Sequence, residues 1–288
     1  MRLVKSLTGI GTALATMALS GAVWAQDSIQ NLERVGKPHE GGIGFQPAAT
    51  ELSRDIHWLD HFVLVIISVI TLFVVGLLAW VLIRYNAKRN PKPATFTHNS
   101  AIEVTWTIVP IVILIVIGVF SLPILFKQLE IPKADINIKV TGNQWYWSYD
   151  YPDQGLSFDA FMLKKDELAD YGYKPDEYLL ATDNAVVVPV NKTVVLHITG
   201  SDVIHAWTIP AFGVKQDAVP GRLAEAWFKP EREGIYFGQC SQLCGKDHAY
   251  MPIVVKVVSQ PVYDAWVKKM REASIKTGPK AVQVASNN

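Results

Sequence analysis

From Phe62 to Ile83 the chain reads FVLVIISVITLFVVGLLAWVLI, 22 residues without one charge. A helix of that length is about 33 Å long, enough to cross the hydrocarbon core of a bilayer. From Val104 to Phe126 a second run, VTWTIVPIVILIVIGVFSLPILF, adds 23 more. A bilayer offers the backbone no water, so both runs are expected to be helical. Pro110 and Pro123 are expected to kink or end the second helix locally. The loop between them, residues 84–103, carries Arg84, Lys88, Arg89 and Lys92 against the single acid Glu103. The positive-inside rule places that loop in the cytoplasm and both ends of the mature chain outside.

The N-terminus agrees with that direction. Arg2 and Lys5 precede an apolar run from Leu7 to Val23, and Val23-Trp24-Ala25 offers a cleavage site. Residues 1–25 therefore read as a secretory signal, with an uncleaved anchor helix as the alternative. Residues 26–61 form an exported N-terminal segment, 62–126 a transmembrane hairpin, and 127–288 an exported domain. The 288 residues are 50% hydrophobic and 18% charged, and their net charge is +1. Nothing in that balance suggests a nucleic-acid-binding surface.

The exported domain reads as many short strands. IKVTGNQWYWSYDY (138–151) and AVVVPVNKTVVLHITG (185–200, with a turn in its middle) are the longest candidates. VIHAWTIP, EAWFKP, GIYFGQC and MPIVVKVVS follow, rich in β-branched and aromatic residues. This spacing predicts a sandwich or barrel. Residues 260–274 read as a helix and the tail after them as polar and loose. Between Asp150 and Asp183 lie nine acids and three lysines. The stretch reads as a solvated surface excursion, or as a docking face for a basic partner.

The chemistry concentrates in GQCSQLCGKDHAYMP, residues 238–252, which offers Cys240, Cys244, His248 and Met251 on one loop. His205 lies upstream in SDVIHAWTIP. A cysteine pair in an exported domain is often a disulfide, and a lone histidine or methionine is often core. Together, two thiolates, two imidazoles and a thioether suit copper. Structural zinc has no use for methionine. A blue-copper site needs only one cysteine. Two thiolates can bridge two copper ions, each ion taking one histidine, with Met251 on one and a backbone carbonyl on the other. Such a closed site suits one-electron transfer rather than substrate chemistry.

The hairpin, the run NQWYWSYDY (143–151), SDVIHAW (201–207), QDAVPGR (216–222) and the loop CSQLCGKDHAYMP (240–252) closely resemble subunit 2 of the haem–copper cytochrome c oxidases. The resemblance spans nearly the whole chain. It implies a cupredoxin-like Greek-key fold for the outer domain and a dinuclear copper A centre. The implied ligands are His205, Cys240, the main-chain carbonyl of Gln242, Cys244, His248 and Met251. It further implies that electrons arrive from cytochrome c and leave for haem in subunit 1, where oxygen is reduced and protons are pumped. Subunit 3 and the lipid of a bacterial inner membrane are the other implied partners, with the copper domain on the periplasmic side.

Carried over residue by residue, Trp145 matches the point where electrons enter, with ordinary strand packing as its alternative. Glu103 matches the mouth of a proton-uptake path, or is an acid favoured by the helix dipole. Asp150 and Asp202 match acids that face the cytochrome, or belong to a solvated face. Gln242 departs from the family's usual glutamate. A neutral amide is a poorer ligand for a hard cation, which weakens the case for a magnesium ion shared with subunit 1. Three other readings compete: a copper-delivery protein, a quinol-fed relative lacking these ligands, and a disulfide-bonded interaction domain.

Overall fold

The computed structural model describes Ile29 and residues 31–277. The proposed signal, residues 1–25, and the tail beyond residue 277 lie outside the described residues. The chain divides into two compact units, residues 54–130 and a second unit formed by the flanking segments.

In the first unit, helix α1 (Glu51–Arg84, whose first turn belongs to the other unit) and helix α2 (Ser100–Leu129) contain the two apolar runs. Both are long and apolar enough to cross a membrane. α1 begins eleven residues before the apolar run, so the boundary at residue 62 marks a change of solvent and not the start of the helix. α2 continues through Pro110 and Pro123, which remain inside it. Neighbouring groups in membrane helices can satisfy the carbonyls that a proline frees. Asn99 caps α2, its side chain accepting from the Ile102 N–H. Asp55, Trp58 and Phe62 recur at helical spacing on α1 and meet Phe120 and Lys127 of α2. Trp58 stacks on Phe62 at 5.5 Å, and the Phe62 and Phe120 rings lie 5.2 Å apart edge to face. Lys127 Nζ pairs with Asp55 Oδ2 at 2.6 Å.

The second unit is a β-sandwich with one flanking helix. Its strands are β1 (Ile136–Asn143), β2 (Tyr146–Tyr151), β3 (Leu156–Ala160), β4 (Val186–Pro189), β5 (Val194–Gly200), β6 (His205–Ile209), β7 (Val214–Ala218), β8 (Ala224–Phe228), β9 (Gly234–Gln239) and β10 (Pro252–Val258). They form sheets ordered β3-β2-β1-β5-β8 and β4-β10-β9, with β6-β7 as a separate ribbon. β1 runs parallel to β5 and β4 parallel to β10; the remaining pairs are antiparallel. The period of two is visible in β1, where Ile136, Ile138 and Val140 point inward, and in β2, where Trp147, Tyr149 and Tyr151 do. These side chains join Leu196, Phe212, Tyr236 and Val255 in one core. Helix α3 (Gln260–Thr277) adds Tyr263 and Val267 to it. The segment before α1 belongs to this unit: the Ala49 N–H donates to the Ala211 carbonyl, and the Thr50 hydroxyl to that of Phe212.

Three differences from the sequence reading matter. The stretch 138–151 is a hairpin of two strands, turning at Gln144-Trp145. Strands β3 and β7 were not foreseen, because LSFDA and VKQDA carry too few β-branched residues to signal a strand. The acidic stretch is not wholly a solvated excursion. Leu163, Leu168, Tyr173 and Ala181 build a second small core with Phe237 and Val254. Beside it Glu177 is fully buried, its carboxylate 3.1 Å from Arg34 Nε. An acid is buried this deeply only when paired.

Candidate metal centre

Strand pairing builds the pocket. Gln239, at the end of β9, lies opposite Pro252, at the start of β10. The loop 240–251 is therefore pinned at both ends by the ladder and folds back over the sandwich. The Ser241 N–H donates to the Ala206 carbonyl at 3.1 Å, tying the loop to β6, whose first residue is His205. A donor 35 residues upstream thus joins the four on the loop.

The donor atoms converge. Cys240 Sγ lies 3.9 Å from Cys244 Sγ, 4.0 Å from His205 Nδ1 and 3.3 Å from the Gln242 carbonyl oxygen. Cys244 Sγ lies 3.5 Å from His248 Nδ1 and 3.5 Å from Met251 Sδ. Metal–thiolate bonds of about 2.3 Å and metal–imidazole bonds of about 2.0 Å allow two sulfurs on one ion to be at most about 4.6 Å apart, and sulfur and nitrogen about 4.3 Å. Every separation falls inside those limits, so the residues fit a thiolate-bound metal. The sulfurs are well beyond the roughly 2.05 Å of a disulfide, and both cysteines are free. His205, Cys240, Cys244 and Met251 are all buried.

The electrostatics favour a cation. Burial works against ionising Cys240, but hydrogen bonds from His205 and from backbone groups outweigh it and hold the thiol below its usual range. Burial and the nearby Cys240 charge push Cys244 upward. Two thiols sharing one dry site cannot readily both ionise unless a positive ion lies between them. Burial likewise opposes the charged form of His205, yet its bonds to Cys240 and Asp202 raise its pKa overall.

Surrounding residues fix the donors. Asp202 Oδ1 lies 2.9 Å from His205 Nε2 and accepts the Val203 N–H at 2.6 Å; Oδ2 accepts the Gln144 N–H at 2.7 Å. A carboxylate on the remote nitrogen sets the ring's tautomer and leaves Nδ1 toward Cys240. Trp147 packs edge-on to the His205 ring at 5.9 Å and donates Nε1–H to the Met251 carbonyl at 3.2 Å. Gly142 lies under the same ring; a Cβ there would come within 2.8 Å of it. The sequence reading missed these supports. The available signals were the glycine inside a strand, which marks a close approach, and the three-residue spacing of Asp202 and His205.

Trp145 is half-buried on the β1–β2 turn, against the loop. Its Nε1–H donates to the Cys244 carbonyl at 3.2 Å, and the Lys246 ammonium lies 5.5 Å from its ring centre. Asp150 is exposed at the far end of β2, five residues or about 16 Å along the strand, opposite Lys139. Glu103 belongs to the helical unit, in the first turn of α2. Its Oε1 accepts the Asn99 N–H at 3.2 Å, so it also serves the helix end. Gln242 turns its side chain to solvent and its carbonyl toward Cys240.

Comparison with known proteins identifies both units. The transmembrane domain of cytochrome c oxidase subunit II matches residues 38–124, and the periplasmic domain of that subunit matches residues 136–258. Cytochrome c oxidase subunit 2 of Cereibacter sphaeroides is 56% identical over 94% of this chain and 93% of its own length. A probable cytochrome c oxidase subunit 2 of Rickettsia bellii is 48% identical over 78% of this chain and 82% of its own. The crystal structure of the periplasmic domain of cytochrome oxidase subunit II of Bradyrhizobium japonicum shares 50% identity, covers 50% of this chain and 99% of that one, and has a TM-score of 0.46. With a transmembrane hairpin and a periplasmic β-domain both accounted for, the chain belongs to the cytochrome c oxidase subunit II family.

Proposed function

We propose that this subunit is where electrons enter the oxidase, and that His205, Cys240, the Gln242 carbonyl, Cys244, His248 and Met251 hold two copper ions. Copper held by these residues would supply one-electron transfer from cytochrome c to haem in subunit 1, for reduction of oxygen to water coupled to proton pumping. The observation that carries this reading is the convergence of four further donor groups on two cysteine sulfurs 3.9 Å apart. The set has one thiolate more than a single blue-copper ion needs, and with both cysteines it would hold two ions.

The protein's own part is to hold these donors rigidly and keep water out. His205, Cys240, Cys244 and Met251 are buried among core side chains, so their positions are fixed by packing. Rigid ligands spare the site any rearrangement when its charge changes. Trp145 places a π-system between the surface and the loop, one hydrogen bond from Cys244. Asp150 and the partly exposed edge of Asp202 present negative charge to a basic cytochrome. The copper domain faces the periplasm of a bacterial inner membrane, and subunits 1 and 3 pack against the hairpin.

Replacing Trp145 with alanine is expected to slow electron transfer from reduced cytochrome c while copper content is retained. Stopped-flow reduction of the oxidase measures this; an unchanged rate would return Trp145 to ordinary packing. Glu103→Gln is expected to slow steady-state turnover and leave copper reduction fast. Normal turnover would leave Glu103 only its role at the start of α2.

A further inference from the structure

Gln144 sits exposed on the turn between β1 and β2, and the electron route above makes no use of it. Its side-chain Nε2 donates to the Cys244 carbonyl at 3.0 Å, and its main-chain N–H donates to Asp202 Oδ2 at 2.7 Å. Asp202 Oδ1 is bonded in turn to His205 Nε2 at 2.9 Å. One residue is thereby joined directly to the loop that carries Cys244 and, through one carboxylate, to the strand that carries His205. Trp145 adds a second N–H to the same Cys244 oxygen, at 3.2 Å. A carbonyl oxygen has two lone pairs, and these two donors suffice to occupy both. The loop is shaped to meet them. Gly245, directly after Cys244, has φ +126°, and a Cβ there would come within 2.9 Å of the Trp145 ring. Only glycine takes this conformation readily while letting the loop lie so close to the turn.

We propose that Gln144 is a positioning residue of the metal centre, a clamp that holds the Cys244 loop against the His205 strand before metal arrives. The inference rests on the copper reading above. A preassembled ligand set binds more tightly because less ordering remains to be done on binding. Gln144→Met keeps the length of the side chain and the main-chain bond to Asp202 but removes the donor. Trp145→Phe keeps an aromatic ring and removes the other donor. Because each donor can cover for the other, losing both should cost more than the two single losses suggest.

The test uses the isolated full-length chain in detergent, loaded with copper. It follows copper loss to a chelator, the electron paramagnetic resonance hyperfine pattern, and the thermal midpoint of the copper-free chain. Gln144→Met is expected to lose copper about two- to tenfold faster, the span of one ordinary hydrogen bond. The Gln144→Met/Trp145→Phe double variant should exceed the product of the single effects and show a broadened spectrum, with an unchanged copper-free midpoint. Copper loss and spectra that ignore Gln144→Met in both backgrounds would overturn the clamp. So would a copper-free midpoint that falls in step with copper retention, since that marks a merely structural residue. Failure of the parent chain to bind copper sinks the copper reading and the clamp with it, whereas normal copper with an indifferent Gln144 sinks the clamp alone.

Discussion

Replacing Cys240 with serine is expected to abolish the two-copper spectrum and lower copper affinity at least about a hundredfold. Outer-shell partners of metal ligands are already worth about 10–100-fold, and Cys240 is closer than that. Its sulfur lies at the centre of the donor set, within 4.0 Å of Cys244, His205 and the Gln242 carbonyl. A hydroxyl neither ionises at neutral pH nor bridges two soft ions. The fold should survive, because serine is no larger and its hydroxyl can donate to the Gln242 carbonyl as the thiol does. Copper analysis and a melting curve of the copper-free chain separate the two effects. A shared-valence spectrum that persisted in Cys240→Ser would show that this sulfur does not bridge.

Gly238→Ala is expected to be the most damaging single methyl in the outer unit. A Cβ at residue 238 would lie 1.8 Å from the Thr208 carbonyl oxygen and 2.8 Å from Ile209 Cδ1. The first of these is backbone and cannot swing aside. Either β9 or β6 must move, in a core that tolerates little overpacking, at a cost of about 3 kcal/mol. The damage should reach the metal centre, because β6 begins with His205 and Cys240 follows Gly238 by two residues. The bond from the Ser241 N–H to the Ala206 carbonyl, which joins loop to strand, would be strained first. Denaturant unfolding of the copper-free chain measures the loss. Gly44→Ala serves as the control, since a Cβ there meets nothing within 4 Å. Equal stability of the two variants would mean that the β6–β9 approach is not tight.

The membrane hairpin was legible because two charge-free runs this long rarely share a chain except as membrane spans. The helix ends were not, since α1 extends beyond the apolar run through polar residues that suit a helix in water. The inward faces of β1 and β2 could be read from alternation, but the turn between them could not. Gly142 and Asn143 stand just before Gln144 and Trp145, but the aromatic residues that follow suggest one continuous strand. All the candidate metal donors could be named from the sequence, but only four of them form a local signal. Cys240, Cys244, His248 and Met251 are local, so their coincidence shows in the sequence. His205 depends on β6 lying beside the end of β9, a long-range packing fact that no local pattern encodes. Asp202, read as an acid facing the cytochrome or as part of a solvated face, is exposed and also bonds to His205. Glu177 was read as solvated, yet it lies buried against Arg34. Charge in a sequence states what a residue can do, and only its neighbours decide which use it has.

The central claim is that this one pocket holds two copper ions through shared thiolates. The most direct measurement is copper per chain, together with the electron paramagnetic resonance spectrum, of the isolated full-length subunit loaded with copper in detergent. The account predicts two coppers and one unpaired electron spread over both nuclei. One copper with a localised spectrum, or none with Cys240 and Cys244 joined as a disulfide, would contradict it.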